Sequence, residues 1–552
     1  MNRLLTFEWT DGFRYLGVGV ALLLLVPLAG IVGSLFAADG AAWAHISRTT
    51  LPELVSNSLL LAAAVAAGVV FIGTICAWTT AHHDFPGRPV FEWLLILPLA
   101  MPAYVMAYAY TDVLQYAGPL QSVLRETFGW HGKADYWFPE IRSLEGAAIM
   151  LTFVLYPYVY VLARVAFLEQ SSSFSEAGRT FGYNRIGIFW RISLPLARPA
   201  IAAGAALALM ETLADYGTVS YFGLPTFTTG IFNAWFSQGD RASASKLAVI
   251  LLVFVAVVMV IERAGRRRSR FYQGGDRKHA RIGLNGTGRW LATLVCIVPI
   301  VIGFALPTLI LLKLAIADGD PSFGTRFIKL ASNSLSVAAI TALIAVGVAL
   351  LLAYGARRSK SRWNQALNRA VGLGYALPGT VIAVGVLIPV ARLDHGLTDL
   401  LGRLSGSAVP LLLTGSAVVL VYAYLIRFLG IALQSVDAGL TKITPSMDDA
   451  ARSLGASTSG VAIRVHVPLL RSSLITAALL VFVDVMKELP ATLVLRPFNF
   501  DTLAVQAYNL AMDERLTEAS TVSLAIVAVG LIPVVLASCA ITRPAQAVST
   551  RR

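Results

Sequence analysis

Long apolar runs separated by short polar segments dominate the chain. A helix needs roughly 20 apolar residues to cross a hydrocarbon core about 30 Å thick, and runs of this length recur along the sequence. The pattern predicts twelve spans, at residues 14–37, 54–80, 90–111, 146–167, 199–221, 244–262, 289–315, 332–356, 367–391, 408–431, 472–495 and 519–541. Alternating polar and apolar stretches of the kind that membrane strands need are missing from the sequence. We therefore expect an all-α polytopic membrane protein.

A polar segment between the apolar runs occurs twice. Residues 173–198 overlay residues 446–471 without a gap, at a constant offset of 273 in sequence number. Matches nearer the start of each half keep an offset of 276, as between Pro102 and Pro378. The duplication predicts two units of six helices each. Because each unit has an even number of spans, the two repeats are expected to run parallel.

Both copies of the polar segment carry the signals of a short capped helix. A serine stands three residues before an acid, which is the spacing of a capping box. A glycine follows where such a helix would end in a left-handed residue. The paired positions are Ser173 with Ser446, Glu176 with Asp449, and Gly182 with Gly455. The signals predict short helices near residues 173–182 and 446–455.

Small side chains fill the middle of both segments, where they allow another surface to approach the backbone. The segments resemble the EAA motif of permease subunits of binding-protein-dependent ABC importers, although Gly178, Asp449 and Val467 depart from its usual residues. In that family the motif is a cytoplasmic coupling helix that docks into a groove on the ATPase subunit. The resemblance implies that the coupling residues are Glu176, Ala177, Gly178, Gly182, Asp449, Ala450, Ala451 and Gly455.

Composition and charge agree with a membrane protein of this kind. Hydrophobic residues make up 57% of the chain and charged residues 14%, whereas soluble domains carry about 25% charged residues. Much of the net charge of +13 lies between the sixth and seventh spans and in the two polar segments. The positive-inside rule then places both termini in the cytoplasm, and it explains the basic residues without nucleic-acid binding. The predicted organisation is a first permease unit at residues 1–262, a basic linker at 263–288 and a second unit at 289–552.

Carboxylates within the apolar spans are the candidate transport chemistry. A charge at mid-bilayer costs about 2.5–3.5 kcal/mol on insertion scales, so each needs a partner or a function. Acids four residues apart on one helix face occur in both the fifth and the eleventh spans. The candidate pathway residues are Glu211, Asp215, Tyr216, Asp484 and Glu488. They could line a path for a hard, highly charged cation, or they could be structural, as a pairing of Asp484 with Lys487 would be.

Catalytic and metal-binding motifs are missing from the sequence. It has no G-x-x-x-x-G-K-[ST] loop, so we expect that the chain is not an enzyme and that a partner hydrolyses ATP. The three cysteines, Cys76, Cys296 and Cys539, lie in apolar spans and form no metal-ligand spacing. We predict no fixed metal site.

Three stretches indicate a more specific resemblance within this family. MPAYVMAYAYTDVLQYAGP, ETLADYGTVSYFG and KELPATLVLRPFNFDTLAVQAYNLAMDER resemble bacterial iron(III) permeases, and the likeness covers essentially the whole chain. It implies an inner-membrane protein that contacts lipid, receives ferric ion from a periplasmic binding protein and is driven by two ATP-binding subunits. ATP and magnesium would be bound by those subunits, and no cofactor by this chain. Fused thiamine permeases and polyamine permeases share features of this architecture, and an ion-gradient-driven secondary transporter remains a further alternative.

Overall fold

The computed structural model describes residues 9–33, 41–170, 178–267, 282–317, 324–358, 362–407, 409–441, 443–455 and 458–542. These residues are mostly helical, and their one sheet is a two-residue parallel ladder between β1 (His83–Asp84) and β2 (Ile282–Gly283). The predicted all-α membrane class is confirmed.

The helices of the first half alternate between long apolar elements and short connecting ones. They are α1 (Trp9–Gly33), α2 (Ala41–Thr49), α3 (Leu51–His82), α4 (Arg88–Leu94), α5 (Ala103–Leu114), α6 (Pro119–Phe128), α7 (Leu144–Glu169), α8 (Arg185–Ile188), α9 (Leu194–Ala214), α10 (Gly217–Tyr221), α11 (Phe227–Phe232) and α12 (Arg241–Arg267).

The second half follows the same alternation. Its helices are α13 (Thr287–Ile300), α14 (Leu306–Ala317), α15 (Thr325–Arg358), α16 (Arg362–Gly372), α17 (Gly379–Ser405), α18 (Ala417–Leu440), α19 (Pro445–Ser453), α20 (Thr458–Val461), α21 (Val467–Met486), α22 (Pro490–Leu495), α23 (Leu503–Met512) and α24 (Leu516–Thr542).

Each of the twelve predicted spans falls on a helix or on a broken pair of helices. In the described residues, ten helices are long and apolar enough to cross a membrane, and Arg88–Ala100 with Ala103–Phe128 adds an eleventh if this pair, bent by 90°, is one span. The shorter apolar helix Gly17–Ile31 lies on the first predicted span. The prediction of one continuous helix was wrong for four spans, in which the helix is broken: 90–111, 199–221, 367–391 and 472–495. At two of the breaks the backbone is extended at a proline, Pro102 or Pro378, which cannot donate a backbone hydrogen bond.

The duplication in the sequence recurs in the backbone. Helices α9 and α21 begin at Leu194 and Val467, which are related by the offset of 273, and each follows directly on a π-helical turn. Helices α5 and α17 begin at Ala103 and Gly379, which are related by the offset of 276, and each follows a short 3-10 helix. Both offsets read from the sequence therefore mark equivalent structural positions.

The chain forms two compact units, and each combines residues from both halves. Unit A comprises Ala44–Gly230, Ile250–Phe323 and Gln506–Arg552; unit B comprises Met1–Trp43, Ile231–Val249 and Gly324–Val505. In unit A, α3, α7 and α9 pack together, α14 and α24 pack on each other, and α13 contacts α3. In unit B, α15, α18 and α21 pack together, and α1 lies against α15, α16 and α17.

The first helix of each half thus packs in the unit formed mainly by the other half. Glycines make these approaches close: a Cβ on Gly385 of α17 would lie 2.9 Å from the carbonyl oxygen of Pro27 in α1. A Cβ on Gly303, between α13 and α14, would lie 2.6 Å from the carbonyl oxygen of Phe153 in α7. Small residues at helix interfaces allow such contact in membranes. The predicted boundaries at residues 262 and 289 describe the sequence repeat and stay a prediction, and residues 268–281 of the linker lie outside the described residues.

Candidate functional site

The first polar segment is described from Gly178 onward, so Ser173, Glu176 and Ala177 lie outside the described residues. Gly178 is buried, and a Cβ there would lie 2.7 Å from Ile192 Cδ1, so its small size serves packing within the segment. The Tyr183 amide donates to the Gly178 carbonyl at 3.0 Å, and Gly182 has φ +77°. This is the predicted left-handed helix end.

The second polar segment forms α19 and ends in the same way, with Gly455 at φ +82°. Asp449 and Ala450 are exposed and Ala451 is half-buried, so this face of the helix is accessible. The predicted capping box is wrong here. Helix α19 begins at Pro445, which places Ser446 inside the helix, where its hydroxyl lies 2.8 Å from the Thr444 hydroxyl.

An exposed apolar side chain precedes the left-handed glycine in both segments. Phe181 is 78% exposed and Leu454 is 89% exposed, and the offset of 273 relates the two positions. The glycines themselves face open space, because none of the described atoms lies within 4 Å of where a Cβ on Gly182 or Gly455 would stand. Large apolar side chains at equivalent exposed positions are typical of protein contact sites. These two side chains were not predicted as contact residues, although the repeat of T-F-G and S-L-G was the available signal.

An ionic cluster that was not predicted from the sequence holds the second segment in place. Asp448 lies 2.6 Å from Nε2 of His466 and 3.4 Å from Nη2 of Arg357. Arg357, near the end of α15, also donates to the carbonyls of Leu440 and Ile443 at 2.7 and 2.8 Å. The cluster ties α19 to α15, to the end of α18 and to the turn before α21. Asp448 directly precedes the motif acid, which was the available signal.

The first segment is anchored differently. Ser193 stands at the position equivalent to His466, and its carbonyl oxygen accepts a hydrogen bond from Nε2 of Gln170 at 2.9 Å. This contact is neutral, whereas the anchor of α19 is charged.

Asp215 and Glu488 each lie just beyond a helix that ends in the membrane-spanning part of the chain. Asp215 accepts hydrogen bonds from the amides of Thr218 and Val219, both at 3.1 Å, and from the Thr218 hydroxyl at 3.0 Å. Glu488, 5% exposed, accepts from the amides of Ala491 and Thr492 at 2.9 and 3.0 Å. Each carboxylate therefore satisfies the free amides at the start of the next short helix, α10 or α22.

These positions correct the expectation that each pair of acids shares one face of a continuous helix. Helix α9 ends at Ala214 and α21 ends at Met486, so the second acid of each pair lies outside its helix. Gly217 and Pro490, the first residues of α10 and α22, are related by the offset of 273 and were the sequence signal for the break.

Basic partners differ between the two breaks. Nη1 of Arg427, in α18, lies 3.4 Å from Glu488 Oε1, and Nζ of Lys487 lies 3.0 Å from Asp484. Among the described residues, neither Glu211 nor Asp215 has a basic partner, and Glu211 is half-buried. Arg427 was overlooked in the sequence, although a lone arginine within an apolar span is itself a signal.

Tyr216 is buried beside a residue of the second half. Its hydroxyl lies 3.4 Å from that of Tyr508, which in turn lies 2.8 Å from the Ser220 hydroxyl. Within the described part of the chain, no three His, Cys, Asp or Glu side chains converge as metal ligands. This finding does not cover tyrosine, which can also bind a metal ion. The expected lack of a fixed metal site therefore stays a prediction.

Known proteins resemble this chain over most of its length. The model of the family described as "Binding-protein-dependent transport system inner membrane component" matches residues 69–271 and again 345–548. The Fe(3+)-transport system permease protein FbpB 2 of Haemophilus influenzae is 25% identical over 89% of this chain and 90% of its own length. The ferric transport system permease protein FbpB of Actinobacillus pleuropneumoniae is 27% identical over 83% of this chain and 66% of its own.

Another relative matches only about half of the chain. The sulfate transport system permease protein CysT of Salmonella typhimurium is 28% identical over 46% of this chain and 89% of its own length. A single-unit permease therefore aligns with one half of the duplication. The two family matches together cover well over half of the sequence, and each contains one polar segment with its left-handed glycine. This chain belongs to the family of inner membrane components of binding-protein-dependent transport systems, as a multi-pass protein with two copies of the family domain.

Proposed function

We propose that this chain is the permease of an ATP-driven importer that moves iron(III), delivered by a periplasmic binding protein, into the cytoplasm. The observation that carries the proposal is the paired polar segment: two short helical segments end in left-handed glycines at equivalent positions, and each presents an exposed apolar side chain. Two such surfaces on one chain suit two copies of one ATP-binding subunit. The similarity to ferric permeases over most of the chain supports iron(III) as the cargo.

The polar segments are the proposed docking sites for the ATPase. Phe181 and Leu454 would insert into apolar grooves, and Asp449 and Ala450 lie on the accessible face of α19. The positive-inside rule places both segments and both termini in the cytoplasm. ATP and magnesium would be bound by the partner, and this chain would bind no cofactor and have no catalytic activity of its own.

Coupling would depend on the shape of the segments. Closure of the two ATP-binding subunits would pull on both segments and move the helices anchored to them, so that the path opens alternately to each side. Helix α19 would transmit this movement through Asp448 to α15 and α21, because the cluster joins these three elements.

The pathway acids are proposed to attract a cation. Glu211 and Asp215 carry negative charge that the described residues do not neutralise with a basic side chain, and a path for sulfate or molybdate would repel its cargo at such a site. Asp484 and Glu488 are paired with Lys487 and Arg427, so we assign them a smaller part in the pathway.

Reconstitution tests the proposal directly. The permease with its ATP-binding subunits is placed in proteoliposomes, and uptake is measured with binding proteins loaded with iron(III), sulfate, thiamine or a polyamine. We expect ATP-dependent uptake of iron(III) alone. Uptake of another cargo with no uptake of iron(III) would contradict the assignment of substrate, and uptake without any ATP-binding subunit would contradict the class of transporter.

A further inference from the structure

Unit A contains five buried tyrosines close together, which we call the phenol cluster. It consists of Tyr104, Tyr108, Tyr216, Tyr221 and Tyr508, none more than 8% exposed. The ring of Tyr108 lies 5.7 Å from that of Tyr104 and 4.6 Å from that of Tyr221, centroid to centroid. The rings of Tyr216 and Tyr508 are 5.9 Å apart. The cluster joins α5, the break after α9, α10 and α23.

The hydroxyl of Tyr108 is buried without a hydrogen-bond partner among the described residues. Tyr108 as a whole is 1% exposed. A buried polar group without a partner costs about 1–3 kcal/mol. Its ring packs against that of Tyr221 at 4.6 Å, so the hydroxyl lies among other phenols. A buried, unpaired hydroxyl within a group of oxygen donors is suited to binding a cation.

The fold itself does not require these tyrosines. The equivalent positions in the other repeat, found with the offsets of 276 and 273, hold Thr380, Val384, Leu489, Val494 and, for Tyr508, Trp235. Val384 and Leu489 are buried like their counterparts Tyr108 and Tyr216. Three of these five side chains are aliphatic and none is a phenol, so the equivalent helices pack without tyrosine hydroxyls. Hydroxyls that packing does not need point to a ligand.

We propose that the phenol cluster is a transient site for the iron(III) cargo within the membrane. This inference rests on the proposed function and names the groups that would bind the substrate. Phenolate and carboxylate oxygens are hard donors, which suit a small trivalent cation. Each tyrosine that binds breaks its O–H bond, forms an Fe–O bond and releases its proton to water; the iron keeps its oxidation state. The carboxylate of Asp215, next to Tyr216 in the chain, is held in place by hydrogen bonds from the amides of Thr218 and Val219.

The cluster has an exposed edge. The guanidinium of Arg142 lies 5.0 Å from the ring centroid of Tyr221 and 3.8 Å from the Glu514 carboxylate. Arg142 is partly exposed and Glu514 mostly so. An ion could reach Tyr221 if the Arg142 side chain moved aside toward Glu514. The phenols therefore lie beneath an accessible ion pair rather than within a closed core.

Visible absorption tests the proposal, because iron(III) bound to phenolate absorbs visible light through charge transfer from ligand to metal. The full-length permease with its ATP-binding subunits is placed in nanodiscs and titrated with ferric citrate. The variants are Tyr108→Phe, Tyr221→Phe and the double variant, which retain the rings. The matched control is Tyr156→Phe: Tyr156 is also fully buried with an unpaired hydroxyl among the described residues, but its neighbours are Cys76, Tyr160 and Cys296.

We expect a charge-transfer band in the unsubstituted protein and in Tyr156→Phe, and a loss of iron(III) affinity of at least about tenfold in Tyr108→Phe and Tyr221→Phe. Thermal unfolding of Tyr108→Phe should stay unchanged or shift upward, since an unpaired buried hydroxyl is removed. If the unsubstituted transporter takes up iron(III) but shows no band, or if the variants keep the band, the inference is overturned and the proposed function stands. If the unsubstituted transporter takes up no iron(III) from its loaded binding protein, the proposed function fails first and the inference with it.

Discussion

The two repeats contain the same helix break but differ in the charge around it. At both breaks a carboxylate binds the free amides of the next short helix, through Asp215 in one repeat and Glu488 in the other. Around Glu488 the negative charge is balanced, since Arg427 pairs with it and Lys487 pairs with Asp484. Around Asp215 the described residues offer no basic partner. The carboxylate cap is thus a property of the fold, whereas the unbalanced charge belongs to one repeat alone.

The residues around the two helix breaks also differ between the repeats. Val154 occupies the position equivalent to Arg427, and Ala103 the position equivalent to Gly379. A Cβ on Gly379 would lie 2.6 Å from Nη1 of Arg427, so the glycine is what makes room for the ion pair. Around the break at Asp215, tyrosines stand where the second repeat has Val384, Leu489 and Val494. The two repeats thus share one scaffold, but the charges around one break are paired, whereas around the other the described residues place tyrosines and acids without a basic partner.

Loss of the Arg427 guanidinium is expected to have the largest effect. In Arg427→Met, Glu488 stays buried without its cation, and we expect a loss of about 3–5 kcal/mol of stability. Adding Glu488→Gln should restore part of it, because the buried charge is removed and the amide oxygen still accepts one of the two hydrogen bonds from α22. The measurement is the midpoint of thermal unfolding in detergent. Lys487→Met, which removes a partly exposed pair, is the control and should cost at most about 1 kcal/mol. Equal losses in the single and double variants would show that the charge pair is not what stabilises this break.

Loss of the exposed apolar side chains should come next, and here the two repeats should behave alike. Phe181→Ser and Leu454→Ser each remove an apolar group that we propose is buried on docking, which contributes about 1.5–3 kcal/mol. We expect each to weaken binding of the ATP-binding subunit, measured with the permease in nanodiscs, and the double variant to uncouple ATP hydrolysis from uptake. Phe498→Ser is the matched control, since Phe498 is 93% exposed in the loop after α22, away from both segments in sequence. An effect from only one of the two would mean that the docking surfaces are not equivalent.

Neutralising the acids tests the difference between the breaks most directly. Glu211→Gln with Asp215→Asn removes the unbalanced charge, and we expect iron(III) uptake to fall by about tenfold or more, since an attraction worth about 1.4 kcal/mol corresponds to roughly that factor. The counterpart, Asp484→Asn with Lys487→Gln, removes one charge of each sign and should leave uptake near that of the unsubstituted protein. Uptake is measured in proteoliposomes, with thermal unfolding as the check on folding. If both double variants transport equally, the negative repeat has no special part in the pathway.

Sequence alone predicted the repeat well because its strongest signals are local. The offset of 273 located the left-handed glycines, which depend on nearby backbone chemistry, whereas the predicted spans at 199 and 472 began five residues after the observed starts of α9 and α21. The breaks after Ala214 and Met486 were missed because the hydrophobicity of the runs continues through them, although Gly217 and Pro490 stood at matching positions. The exchange of α1 and α13 between units could not be read from the sequence. The exchange depends on which helix surfaces pack closely at Gly385 and Gly303. Hydropathy alone does not distinguish one apolar helix from another.

The candidate site was predicted in part for the same reason. Acids within apolar runs are conspicuous, so Glu211, Asp215, Asp484 and Glu488 were found. Their partners were harder, because Arg427 lies 61 residues from Glu488 along the chain. Tyr216 was predicted as a pathway residue because it adjoins Asp215 in the sequence. Tyr104, Tyr108 and Tyr508 were not, since tyrosine is common in spans and nothing in its spacing reports an unpaired hydroxyl.

The anchors of the polar segments offer the smallest effect and the finest comparison. Asp448→Asn keeps an acceptor but removes the charge that Arg357 and His466 share, so we expect α19 to open more easily by about 1 kcal/mol. Amide hydrogen exchange should then be roughly fivefold faster in α19 and unchanged in residues 178–193. Gln170→Ala should give the reverse pattern, because it removes the hydrogen bond to the Ser193 carbonyl in the other repeat. Faster exchange in both segments from either substitution would mean that the segments open together, and the two repeats would then share one anchor rather than having one each.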